Sequence, residues 1–133
     1  MRLSIIISRI ERHVKRANEL MNRDLSDDVV FSALSMECFQ AINSAIDLGE
    51  HLVSKHNLGI PSTYREIFEI LHKNKIINEE ILNGMKKLIF YRNLIAHEYY
   101  TIEVKDLKEI VDMLNILLDL VESVKRYESG LGK

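Results

Sequence analysis

The chain has 133 residues, 47% hydrophobic and 29% charged, with one proline, five glycines and no tryptophan. That length suits a single domain, and turn residues are too sparse for a β-sandwich or barrel. Cys38 is the only cysteine, which excludes a disulfide scaffold, and a net charge of −2 disfavours non-specific coating of nucleic acid.

Charges interrupt the apolar N-terminal run at Arg2 and Arg9, so neither a signal peptide nor a span of ~20 apolar residues is expected. Together with the lone thiol, this predicts a cytoplasmic protein with no membrane association. Leu3, Ile6, Ile10, Val14, Ala17 and Leu20 recur at spacings of three and four, predicting a first helix that ends near Arg23. Ser26, before Asp27 and Asp28, reads as the cap of a second helix over about 27–56. This helix is apolar on more than one side and is therefore expected to be central. It keeps a polar stripe at Gln40, Asn43, Asp47 and His51.

Gly59 and Pro61 break the pattern, and a short helix is predicted over about 63–73. Asn78-Glu79-Glu80 starts a fourth helix carrying Ile81, Leu82, Met85, Leu88 and Ile89. Thr101, with Glu103 and Asp106, reads as the start of the last helix, whose apolar side runs from Leu107 to Val124. The prediction is an all-α, up-and-down antiparallel bundle of four long helices plus a short one. It is expected to form one domain over 1–133, with a frayed tail from about 128 to 133.

Charge is unevenly spread. Residues 1–23 hold six basic and two acidic side chains, residues 24–60 one and six, and residues 61–92 six and four. An anionic ligand is therefore expected at the first segment or near Arg92.

The segment Phe90-Tyr91-Arg92-Asn93-Leu94-Ile95-Ala96-His97-Glu98-Tyr99-Tyr100 has no obvious role in the bundle. Histidine exchanges protons near neutral pH, and arginine offers a permanent charge on a planar fork that suits phosphate. The pair can cleave an RNA phosphodiester without a metal, one group moving protons and the other stabilising the anionic phosphorus. On a straight helix five residues rotate by ~500°, which leaves Arg92 and His97 ~140° apart. Either the chain turns near His97 or a second subunit completes the site. The alternative is that His97 merely caps a helix C-terminus.

Arg92-Asn93-x-x-x-His97-x-Tyr99 resembles the Arg-x-x-x-x-His-x-Tyr motif of the HepT toxins in the HEPN superfamily. Ile46-Asp47-Leu48-Gly49-Glu50-His51, His56-Asn57-Leu58-Gly59-Ile60-Pro61 and Tyr64-Arg65-Glu66-Ile67-Phe68 are similar to other segments of that family, in the same order. The resemblance covers roughly residues 1–125. It implies a homodimer whose two motifs face one another across a groove. It also implies a metal-independent ribonuclease toxin without a cofactor, paired with an MntA-type nucleotidyltransferase antitoxin that transfers AMP to the motif tyrosine. On that basis Arg92 is the phosphate-stabilising cation, His97 the acid/base, Asn93 a polar helper, Asp47 a supporting residue and Tyr99 the AMP acceptor, with Tyr100 its nearest competitor. The rival reading is a non-catalytic HEPN module that binds nucleotide or substrate for a nucleotidyltransferase.

Asp47 and His51 lack a third partner for a metal site, so no metal is expected. Cys38 reads as core. His13, His56 and His72 are expected to be solvated, and Lys86 and Lys87 could add phosphate attraction near Arg92.

Overall fold

The computed structural model describes residues 2–131, with six α-helices and one 3-10 turn among them. In chain order these are α1 (Arg2–Leu20), α2 (Asp28–Lys55), α3 (Tyr64–Lys73), α4 (Glu79–His97), the 3-10 turn Tyr99–Thr101, α5 (Val104–Met113) and α6 (Asn115–Leu131). The architecture is the all-α bundle that the periodicity predicts. Helix α2 touches all five other α-helices. It buries Leu34, Cys38, Ala41, Ile42, Ala45, Leu48 and Leu52 completely.

By length and composition alone α2 could cross a membrane, which qualifies the expectation that no segment comes close. Its apolar residues instead form the centre of the core. Burial pushes the Cys38 thiol up to about 12, with the Glu37 carboxylate beside it adding to the effect. Cys38 is therefore a packing residue.

The helix starts depart from the predicted caps by one or two residues. Asp27, not Ser26, caps α2, and its carboxylate accepts hydrogen bonds from the backbone N–H groups of Val29 and Val30 at 2.8 and 3.4 Å. Ser26 instead donates its hydroxyl to Asp24 at 2.6 Å. A carboxylate at the cap satisfies two orphan donors and adds favourable charge at the helix start. Thr101 likewise sits in the 3-10 turn, donating to the Glu98 carbonyl at 2.7 Å. Glu103 caps α5 in a reciprocal box with Asp106.

The predicted last helix is divided at Leu114. Its N–H reaches the Val111 carbonyl, and the Leu117 N–H reaches Leu114, so the ladder tightens to 3-10 spacing for one turn. Leu114 stays fully buried, which keeps both halves on the core. Helix α6 then runs to Leu131, through most of the tail expected to fray from about 128. Glu128 holds this stretch to α2, accepting from Lys55 at 2.7 Å and lying 3.1 Å from the His56 ring. Residues 132–133 lie outside the described ones.

Two of the three histidines expected to be solvated have carboxylate partners. His13 lies 2.6 Å from Glu37, and His56, paired with Glu128, also meets the edge of the Tyr127 ring. His72 is half-buried in the last turn of α3.

Gly49 sets the approach of α2 to α3. A Cβ there would lie 2.7 Å from the Ile67 methyl and 3.1 Å from the Phe68 ring, both fully buried side chains. Gly49→Ala should therefore cost about 1–3 kcal/mol, although alanine is intrinsically the better helix former. Chemical denaturation is the check, and a variant as stable as the parent would show that α3 can move aside freely.

Candidate active site

Helices α2, α3 and α4 enclose an open groove of about 700 Å³. Its wall combines Glu50 from α2, the 61–65 segment leading into α3, and Arg92, Asn93 and His97 from α4. The start of α3 is fixed here by its own caps. Thr63 accepts from the Glu66 N–H at 3.1 Å, and the Glu66 carboxylate accepts from the Ser62 N–H at 2.8 Å.

Arg92 is the most constrained side chain in the groove. Its Nε donates to Asn43 Oδ1 at 2.8 Å, and its Nη1 donates to Asn93 Oδ1 at 2.9 Å. The guanidinium carbon lies 5.2 Å from the centroid of Phe39 and 5.0 Å from that of Tyr64, over each ring. Cation–π contacts of this kind are worth roughly 0.5–2 kcal/mol each, depending on desolvation. Among the described residues every polar partner of Arg92 is a neutral amide and no carboxylate pairs with it, which leaves its charge available to an anion.

His97 is the last residue of α4 and is exposed. The chain stays helical through His97, and both Arg92 and His97 line the groove despite the ~140° between them along the helix. The guanidinium leans along the helix to Asn93, and the helix ends at His97. The chain then turns at Glu98, whose N–H still reaches the Leu94 carbonyl at 2.7 Å.

Tyr99 belongs to a neighbouring hollow of about 400 Å³, together with Ser32, Ser35, Met36, Phe39, Ile95 and Ala96. Its hydroxyl lies 3.1 Å from Ser32 Oγ, and its ring meets the edges of Phe31 and Tyr100. Phe39 links the two cavities, since it packs under Arg92 and also lines this hollow. Tyr100 is 100% exposed. Tyr91, also in this segment, is buried and donates to Glu109 at 2.7 Å. Burial and that carboxylate raise its hydroxyl to about 12.

Asp47 is exposed on α2, one turn beyond Asn43 and outside the residues lining the groove. No group of three or more His, Cys, Asp or Glu side chains among the described residues is placed to hold a metal. His51, once considered with Asp47, is held below the ordinary imidazole range by partial burial and then by Lys55 and Arg2. Lys86 and Lys87 do not serve the groove; they pair with Glu69 and Glu109. Asn43, Phe39, Tyr64, Arg65 and Glu50 are not singled out as site residues by the sequence. Asn43 lies in the polar stripe, and Glu50, Tyr64 and Arg65 lie in segments resembling the family, whereas Phe39 carries no signal.

Residues 4–125 match the family model described as ribonuclease HepT-like. The chain is 25% identical over 96 residues to the mRNA nuclease HepT of Shewanella oneidensis, covering 70% of this chain and 72% of that one. It is 26% identical across 133 residues to an Archaeoglobus fulgidus protein provisionally described as an RNase, covering 100% of this chain and 98% of that one. The fold is shared with a tri-AMPylated HEPN toxin of Shewanella oneidensis solved in complex with an MNT antitoxin. That likeness has a TM-score of 0.85 at 22% identity, over 93% of this chain and 96% of that one.

Proposed function

The chain belongs to the ribonuclease HepT-like family, and from that premise we propose that it is a metal-independent endoribonuclease toxin of the cytoplasm. The observation that carries this reading is the immobilised, carboxylate-free Arg92 guanidinium in the same groove as His97. A pre-positioned cation stabilises charge that develops on a phosphoryl oxygen without reorganising first. In the reaction, the ribose 2′-oxygen bonds to phosphorus and the bond to the 5′-oxygen breaks. The products are a 2′,3′-cyclic phosphate and a free 5′-hydroxyl. His97 moves the proton between these oxygens, Arg92 faces the non-bridging oxygens, and Asn93 and Asn43 hold Arg92. The supporting role of Asp47 rests on the family resemblance alone, since it is exposed one turn from Asn43 and outside the groove lining.

The purified protein is expected to cut single-stranded RNA with excess chelator present, leaving cyclic phosphate ends. RNA left intact with or without divalent ions, despite binding, would favour the non-catalytic module instead. The same preparation is expected to have twice the chain mass by light scattering. Met36 and Tyr100, both well exposed around the Tyr99 hollow, support a homodimer on this face.

Control by a nucleotidyltransferase antitoxin is the second part of the proposal, supported by the AMPylated relative with the same fold. The Tyr99 oxygen would bond to the α-phosphorus of ATP, and pyrophosphate would leave. Tyr99 is the assigned acceptor; its hydroxyl lies 3.1 Å from Ser32 Oγ and gives up its proton in the transfer. Incubation with the cognate transferase and ATP should add whole AMP masses to the parent and none to Tyr99→Phe. Equal modification of the variant would move the acceptor to Tyr100.

A further inference from the structure

Arg92 and His97 occupy only part of the groove. The remainder is built from the start of α3, where Tyr64 and Arg65 face the same space as Arg92. A volume of about 700 Å³ lies within the usual range of roughly 300–1,000 Å³ for ligand clefts and exceeds what one phosphate needs. Tyr64 carries the Arg92 guanidinium on its ring yet remains 39% exposed. Arg65 is exposed and, among the described residues, has no carboxylate partner, unlike Lys55, Lys86 and Lys87. Among the described residues the one carboxylate lining the groove is Glu50, on α2 rather than on the α3 side.

An open aromatic face beside a free arginine suits the base and phosphate of one nucleotide in a single strand. We propose that Tyr64 and Arg65 form a subsite for the nucleotide next to the scissile phosphate, with the base stacked on Tyr64 and its phosphate held by Arg65. Arg92 and the flanking base then share the Tyr64 ring, so occupying the subsite also braces the catalytic cation. Glu50 repels the strand from the α2 side and thereby fixes the side of the groove along which the backbone runs. This inference rests on the reading of the groove as an RNA site. It adds that a substrate must carry a second phosphate beside the cleaved one.

Binding of a short 2′-deoxy oligonucleotide, which cannot be cleaved, tests it, with abasic residues placed at each position in turn. One abasic position should weaken binding to the parent by roughly 5- to 150-fold, the equivalent of about 1–3 kcal/mol for one stacked base. The same replacement should cost Tyr64→Ala almost nothing, whereas Tyr64→Phe should behave as the parent. Arg65→Ala should lower the slope of log affinity against log salt by about 0.7, the contribution of one single-strand phosphate. An abasic penalty identical in the parent and Tyr64→Ala, or an unchanged slope in Arg65→Ala, overturns the subsite. Failure of the nuclease reading is distinguishable: the parent would then show these binding effects but leave the ribose form of the oligonucleotide uncut.

Discussion

Replacing Arg92 by alanine is expected to lower the RNA cleavage rate by roughly 10²–10³-fold, the usual cost of removing one pre-positioned donor from a developing oxyanion. The bundle should remain folded, because Arg92 is only half-buried and its partners Asn43 and Asn93 are also reachable by water. Circular dichroism establishes that point beside the rate measurement. Arg92→Lys distinguishes charge from geometry. A lysine ammonium cannot donate to both Asn43 and Asn93 while lying flat against Phe39 and Tyr64, as the guanidinium does. It should therefore recover only a small part of the lost rate. A folded Arg92→Ala protein that cuts RNA at the parental rate would remove this residue from the chemistry.

The dependence on Asn43, Phe39 and Tyr64 also explains which parts of the site were legible from sequence. Arg92, Asn93 and His97 lie within six residues, so a local motif exposes them. Asn43 is 49 positions from Arg92, and no local pattern connects the two. The same distinction governs the histidines. The pairs His13–Glu37 and His56–Glu128 span 24 and 72 positions, and periodicity alone assigned both rings to solvent.

Fold elements followed the apolar period closely, because the core needs Ile10, Leu34, Leu48 and Leu107 on inward faces whatever the loops do. Caps were less legible because adjacent residues compete for them on equal chemical terms. Ser26 and Asp27 can both accept from a helix start, and backbone geometry decides for Asp27. The division at Leu114 left no trace, since an in-phase buried leucine looks the same in either ladder.

His97→Ala is expected to reduce cleavage by roughly 10²–10⁴-fold, the range in which a positioned acid or base contributes. Position makes this a sharp test. His97 is exposed at the very end of α4 and has no hydrogen-bonded partner among the described residues, so removing its ring opens space without stripping a neighbour. Added imidazole can therefore reach the vacated place, and it should restore part of the rate to His97→Ala but not to Arg92→Ala. His97→Gln keeps a polar side chain but cannot carry the proton. Its cleavage rate should therefore fall as far as that of His97→Ala. The competing account treats His97 as a cap on the α4 C-terminus, where a cation interacts favourably with the helix dipole. That account predicts a stability loss of about 0.3–1 kcal/mol, an unchanged cleavage rate and no response to imidazole. A variant that is slightly less stable but fully active would reduce His97 to that structural role.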